Sequence, residues 1–156
     1  MSAQSDNFEN KYIDWLFRGQ ALGLNGASAA AGSGPTNLYI SLKLAADSDS
    51  AQGAEVSGGN YARVQVASSL ANWAGTQGAA STTASSGTSG TTSNNNAITF
   101  PTPSAAWGQV VGFGIHDAAT GGIELFYAAL TTPKTINNGD PAPSFAAGAL
   151  TIQVDN

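Results

Sequence analysis

"QVVGFGIHDAATGGIELFYAAL", Gln109 to Leu130, decides the fold class. Val111, Phe113 and Ile115 share one parity, Ala118 to Gly122 have turn composition, and Ile123 to Leu130 resume an extended pattern. Successive strand side chains point to opposite faces, whereas helical apolar residues recur every third or fourth position, so the stretch predicts a β-hairpin.

The same period appears on both sides of it. Leu38, Ile40, Leu42 and Leu44 alternate with Asn37, Tyr39, Ser41 and Lys43, predicting a half-buried strand. "EVSGGNYARVQV", Glu55 to Val66, sets a glycine pair before a basic residue, but a phosphate-cradling loop must open a helix and no helical pattern follows Gly59. Gly58-Gly59-Asn60 therefore reads as a turn with positive φ angles. It sets the register of a strand from Tyr61 to Ser68 in which Val64 and Val66 face inward. Arg63, on the other face, is expected to pair with a carboxylate in its own subunit or a neighbouring one.

Ile98 and Phe100 lead into Pro101 and Pro103, "TTPKTINNGDPAPSF" holds a short extended piece and an Asn138-Gly139 turn, and Leu150, Ile152 and Val154 close with a final strand. About seven short antiparallel strands result, the pattern of a mainly β chain folded as an antiparallel β-sandwich of jelly-roll type. A single domain over residues 1–156 is expected, since the length suits one core.

One helix precedes the sandwich, at about residues 6–18. Asp6 is placed to cap it, with Glu9 three residues on, and Asp14 with Arg18 forms an i,i+4 pair. Phe8, Tyr12, Ile13, Trp15, Leu16 and Phe17 spread over a wide apolar arc, leaving Asn10, Lys11, Asp14 and Arg18 for the solvent side. A linker arm of small residues follows at about 19–36, and a low-complexity loop at about 75–96 carries no charge and no large side chain. Such a loop cannot offset its own ordering entropy, so it is expected to be mobile or to be ordered by a neighbour.

Composition restricts function. Five Lys plus Arg face ten Asp plus Glu, with no basic block, which excludes a nucleic-acid partner. Charged residues make up only 10% of the chain, a scarcity suited to surfaces that lie against protein. There is no cysteine for disulfides or thiolate metal sites. No basic leader with an apolar core opens the chain and no stretch is long and apolar enough to span a membrane, so a soluble protein with no membrane partner is expected.

Candidate chemistry is sparse. His116 is the sole histidine, Asp117 beside it points to the opposite face, and a surface or turn-stabilising role is expected. Asp117 and Glu124 flank the hairpin turn as turn residues rather than as a glycosidase pair. Asp47 and Asp49 sit in a polar loop without calcium-loop spacing. Trp73 and Trp107 offer stacking surfaces for a carbohydrate-binding module, although burial is the usual fate of Trp in a small sandwich. No catalytic residue, metal site or cofactor is expected.

"FENKYIDWLFRG", "NLYISLKL", "EVSGGNYARVQV", "ITFPTPSAAWGQVVGFGIHDAATGGIELFYAALTTPKTINNGD" and "FAAGALTIQV", in that order, resemble a family of small virion proteins of tailed bacteriophages, whose members often carry the label tail fibre protein. The resemblance omits Ala21 to Gly34 and Thr76 to Asn96. It implies a non-enzymatic capsid cement or decoration protein on the virion exterior, with a jelly-roll-like sandwich and an extended arm. Its partners would be the major capsid protein and neighbouring copies as a dimer or trimer. The alternative it leaves is a tail or tail-fibre component. The contact residues expected on this reading are Phe8, Tyr12 and Trp15 on the helix, Leu22, Leu24 and Pro35 on the arm, and Arg63.

Overall fold

The computed structural model describes residues 4–24, 34–78 and 81–154. Among these lie one helix, α1 (Asp6–Leu16), and eight strands: β1 (Asn37–Lys43), β2 (Val64–Ala67), β3 (Thr91–Ser93), β4 (Ile98–Thr99), β5 (Gly108–His116), β6 (Glu124–Ile136), β7 (Ser144–Phe145) and β8 (Thr151–Gln153). The chain is mainly β with one helix, as the periodicity predicts. The strands divide into a four-stranded sheet of order β2-β1-β5-β6 and two pairs, β3-β8 and β4-β7, an inventory that does not amount to the two facing four-stranded sheets of a jelly roll.

Contacts cluster in two compact units, each built from separate stretches of chain. One comprises Met1–Thr36, Ala67–Ala97 and Phe145–Asn156, and the other Asn37–Val66 and Ile98–Ser144. The second holds the four-stranded sheet. Antiparallel pairing sets Ile40 opposite Ile115 and Leu42 opposite Phe113, so the apolar parities of β1 and β5 coincide. On the other parity Tyr39, Ser41 and Lys43 face His116, Gly114 and Gly112. Both strands are internal to the sheet, and Ser41 and Lys43 are as buried as the leucines, so β1 is not the half-buried strand expected. Leu44 lies beyond the strand and is exposed.

The β5–β6 hairpin forms where predicted, but β6 runs on for 13 residues and absorbs the "TTPKTI" piece. A register shift between Val110 and Gly112 accommodates Leu130 to Pro133, and Pro133, which has no N–H to donate, sits on an outermost strand of the sheet.

Gly58, Gly59 and Asn60 adopt φ angles of 71°, 55° and 66°, three left-handed residues in succession. Tyr61 N donates to Gly58 O at 2.9 Å to close the turn. The expected strand from Tyr61 begins only at Val64, because Tyr61 is drawn into an aromatic cluster, stacked on Phe100 at 6.2 Å and edge-on to Trp107 at 5.3 Å. Val64 and Val66 keep the inward parity, with Gln65 and Ala67 exposed, but are only half-buried, since β2 is a short outer strand.

In the other unit α1 buries Ile13, Leu16 and Phe17, with Phe17 edge-on to Trp73 at 5.0 Å. Ser5, not Asp6, precedes the helix, and its carbonyl accepts from Phe8 N and Glu9 N without a side-chain cap. Asn94 ties the unit together: its Nδ2 donates to Asn96 O and Ala146 O, each at 2.8 Å, and its Oδ1 accepts from Leu150 N at 2.9 Å. The helix side expected to face solvent is covered instead. Asn10, Asp14 and Arg18 are buried beneath the Ser/Thr-rich loop, so residues 81–88 are held by the chain's own helix.

The left-handed turn separates two effects that sequence alone conflates. A Cβ on Gly58 would meet open space, whereas one on Gly59 would approach Trp107 Nε1 at 2.9 Å and Ala105 Cβ at 3.1 Å. Gly58→Ala is predicted to cost about 1 kcal/mol for its backbone alone, and Gly59→Ala about 2–4 kcal/mol once overpacking is added. Urea denaturation of the two variants checks the order, and equal losses would refute it.

Candidate functional site

The chemistry-bearing side chains of the larger sheet converge on a glycine. Gly112, Gly114 and His116 share the β5 face that carries Ser41 and Lys43 from β1. A Cβ on Gly114 would collide with Glu124 Oε1 and lie 2.8 Å from Ser41 Oγ and 3.0 Å from His116 Nε2. The missing side chain is therefore the space that this polar cluster occupies. Ser41 Oγ and His116 Nε2 are hydrogen-bonded at 2.9 Å, and Glu124 Oε1 lies 3.5 Å from the same nitrogen. Lys43 Nζ sits between Glu124 Oε1 at 2.7 Å and Asp47 Oδ1 at 3.0 Å, and Asp47 Oδ1 also accepts from Gly53 N at 2.6 Å.

Burial lowers the His116 pKa to about 4, assisted by the positive charges of Arg63 and Lys43 and opposed by Glu55 and Asp47. Burial likewise raises Glu124, against the pull of Lys43. For Lys43 burial acts downward, but its bonds to Glu124 and Asp47 outweigh it and the pKa rises. At neutral pH His116 is thus a neutral imidazole, beside a lysine flanked by two acidic side chains.

Ser41, His116 and Glu124 have the composition of a nucleophilic triad without its geometry. A triad needs the acid on Nδ1, leaving Nε2 to take the hydroxyl proton, whereas here both partners crowd Nε2 and Nδ1 has no hydrogen-bond partner. Ser41 and His116 are also 0% exposed, so no substrate reaches them in this conformation. The expected surface histidine is in fact a buried one that ties β1 to β5. Asp117 keeps its predicted turn role, its Oδ1 accepting from Ile123 N at 2.7 Å.

Arg63 finds its carboxylate within the chain. Its Nε and Nη2 donate to Glu55, with contacts of 2.7–3.2 Å, while Nη1 donates to Ala118 O and Gly121 O, each at 2.8 Å, on the hairpin turn. Tyr61 OH donates to Glu55 Oε1 at 2.9 Å and accepts from Leu42 N at 2.9 Å. Burial alone would raise the Glu55 pKa, but the Arg63 and Tyr61 bonds lower it. The Arg63 guanidinium is thus engaged inside its own unit rather than presented as a contact group.

The remaining expected contact residues belong to the other unit. Phe8, Tyr12 and Trp15 form a half-buried ladder along α1, with ring centroids 6.3 and 5.8 Å apart. The two described ends of the arm lie along the same helix. Lys11 Nζ donates to Gly23 O at 3.4 Å, and a Cβ on Gly34 would collide with the Trp15 carbonyl. Leu24 is exposed, and Leu22 and Pro35 are half-buried. Residues 25–33, the middle of the expected arm, lie outside the described residues. Trp73 and Trp107 are both buried, and Trp107 Nε1 donates to Gly59 O at 2.9 Å, so neither presents a sugar-stacking face. Sequence reasoning missed the Ser41–Lys43–Glu124 cluster. Its signal was the Gly-x-Gly-x-His alternation on β5, two small residues and a polar one on a face of an otherwise apolar strand.

A family model described as podophage GP4 fiber I protein gp80 matches residues 3–153. The chain belongs to this family. It is a structural protein of a bacteriophage virion, of fibre type, and the match includes the arm and the small-residue loop that the resemblance left out. No curated protein matches the chain. In this member of the fiber I family, both of the most specific sequence motifs are occupied with holding the sheet together.

The His116 environment yields a pH prediction. The folded pKa near 4 lies below the ordinary value of 6.5, so between these limits the unfolded chain binds a proton that the folded chain refuses. This contribution to stability is intact above pH 6.5 and is lost as pH falls towards 4, at up to about 1.4 kcal/mol per pH unit. His116→Gln is predicted to flatten that slope in urea titrations between the two limits, and an unchanged slope would assign the acid sensitivity to other groups.

Proposed function

We propose that this protein is a structural subunit of the virion fibre and that it acts by assembly rather than catalysis. The observation that carries the proposal is the family match over residues 3–153. The site geometry supports it: the charged and nucleophilic side chains of the sheet are turned inward and paired with one another, with Ser41 and His116 sealed from solvent. Contacts to neighbouring subunits, including further copies of this chain, would run through the α1 ladder of Phe8, Tyr12 and Trp15 and the arm beside it. Half-buried aromatics of this kind supply large contact area at small entropic cost.

A second reading, capsid cement bound to the outside of the major capsid protein, is favoured by the scarcity of charge. At 10% charged residues the surface suits broad, repeated protein contacts, and many weak contacts multiplied by symmetry would stiffen a shell. The two readings place the protein at different stoichiometries. Densitometry of purified virions, with gold-labelled antibody seen by electron microscopy, is expected to show a copy number far below that of the major capsid protein and label at the tail. Copies approaching those of the major capsid protein, with label over the head, would replace fibre by cement.

On either reading, Phe8→Ala combined with Trp15→Ala is predicted to weaken incorporation by about 2 kcal/mol or more, roughly thirtyfold, while the isolated protein stays folded. Immunoblotting of virions assembled with the variant measures this, and full incorporation would remove the helix face from the interface.

A further inference from the structure

Lys43 is a buried nucleophile that assembly leaves unused. Its amine is carried by β1 into a sealed space, where the side chains of Lys43, Asp47 and Glu124 are only 1%, 3% and 5% exposed. Nζ touches two acids at once, Glu124 Oε1 at 2.7 Å and Asp47 Oδ1 at 3.0 Å. The two acids also bear on each other. Burial raises the Glu124 pKa, and its charge interaction and hydrogen bond with Asp47 act in the same direction, against the pull of Lys43. Room for the group comes from Gly114, whose Cβ would collide with Glu124 Oε1.

An amine and a carboxyl group held together away from water are the reactants of an amide bond. In solution both rest as ions, and the surrounding water favours hydrolysis. Here contact makes the encounter intramolecular, and sealing excludes bulk water while lowering the cost of the neutral pair relative to the ionic one. The three groups divide the work. Lys43 Nζ is the nucleophile. Asp47 supplies the carbon to be attacked, since its Oδ1 already accepts from Gly53 N at 2.6 Å, a backbone donor placed to hold the negative charge that this oxygen gains on attack. Glu124, in reach of both, is the acid–base group. Burial lowers the Lys43 pKa, but its bonds to Glu124 and Asp47 outweigh this and the ammonium is the resting form. Proton transfer therefore precedes attack, and the reaction is slow and follows folding.

We propose that Lys43 and Asp47 condense into an intramolecular amide, with Glu124 as the proton shuttle. The Nζ–Cγ bond forms and one Cγ–O bond of Asp47 breaks. The ammonium gives up two protons, and these leave with the departing oxygen as water. Nothing is oxidised or reduced, and no co-reactant is needed. The product exchanges a buried ion pair for a neutral amide and closes a covalent ring at the end of β1, a cross-link open to a chain without cysteine.

The test is the intact mass of the purified full chain, followed while it stands folded at neutral pH, with fragmentation to locate any change. The expected result is a chain lighter by one water, uncut by trypsin after Lys43 and giving no fragments from cleavage between Lys43 and Asp47. A chain kept in urea should retain its full mass, since only the fold brings the groups together. Asp47→Asn is nearly isosteric and should form the same bond, losing ammonia in place of water. Glu124→Gln should slow formation by about a hundredfold or more, the usual worth of a positioned acid–base group. A folded chain that keeps its full mass overturns the proposal, as does a water loss that maps away from Lys43 or persists in Asp47→Asn. Ammonia lost from Glu124→Gln would make Glu124 the attacked group and overturn the assignment to Asp47.

Discussion

The larger sheet depends on one guanidinium. Arg63 holds Glu55 through Nε and Nη2 and the hairpin turn through two backbone carbonyls, so a single planar group joins an irregular loop to the tip of the longest hairpin. The three left-handed residues Gly58, Gly59 and Asn60 reverse the chain between Glu55 and Arg63, and the reversal brings acid and base to the same side. Trp107 adds a second tie by donating to the carbonyl of Gly59. A lysine at position 63 would keep the charge but not the fork that reaches both carbonyls and the carboxylate.

Beneath that clamp lies an arrangement whose parts are costly singly. Lys43 is buried with Glu124 and Asp47 beside it, and a buried ion pair is weak evidence for net stability because desolvation consumes much of the attraction. Removing one partner is another matter, since the uncompensated charge left behind costs about 3–5 kcal/mol. The group therefore acts on register more than on total stability. Slipping β1 by one residue would turn Lys43 away from Glu124 and set Leu42 over Gly112, so the ionic pairing and the coincident apolar parities of β1 and β5 both reject the slipped register.

How much of this was legible in the sequence follows from which interactions are local. The hairpin, the left-handed turn and the Asn138-Gly139 turn, where Gly139 has φ 81°, depend on neighbouring residues, and each lies where the residues put it. Burial of both faces of β1 depends on its place between β2 and β5, which alternation within one strand does not reveal. Asn10, Asp14 and Arg18 were assigned to solvent by helical periodicity, a rule that assumes a polar face has no partner; their partner lies some seventy residues along, in a stretch with no apolar pattern to announce it. Arg63 was correctly matched to a carboxylate, but only the fold shows that the carboxylate is Glu55 and that the hairpin tip shares the same group. The aromatic ladder was readable from the i,i+4 and i,i+3 spacing of Phe8, Tyr12 and Trp15, whereas the cleft between α1 and the Ser/Thr-rich loop was not, because it is made by two segments distant in sequence.

The division of the chain into interleaved stretches constrains its biogenesis. The unit containing α1 also includes Leu150 and the β3–β8 pair, so it is complete only once the segment from Phe145 has been made. The unit bearing the hairpin has all of its segments by Ser144 and can close earlier. During synthesis, then, an aromatic amphipathic helix stands uncovered while the sheet forms, a period in which a chaperone or a sister chain can reach it. In this sense the helix-bearing unit is completed after the unit that bears the hairpin, and the order of vectorial folding between the two follows the interleaving of their segments.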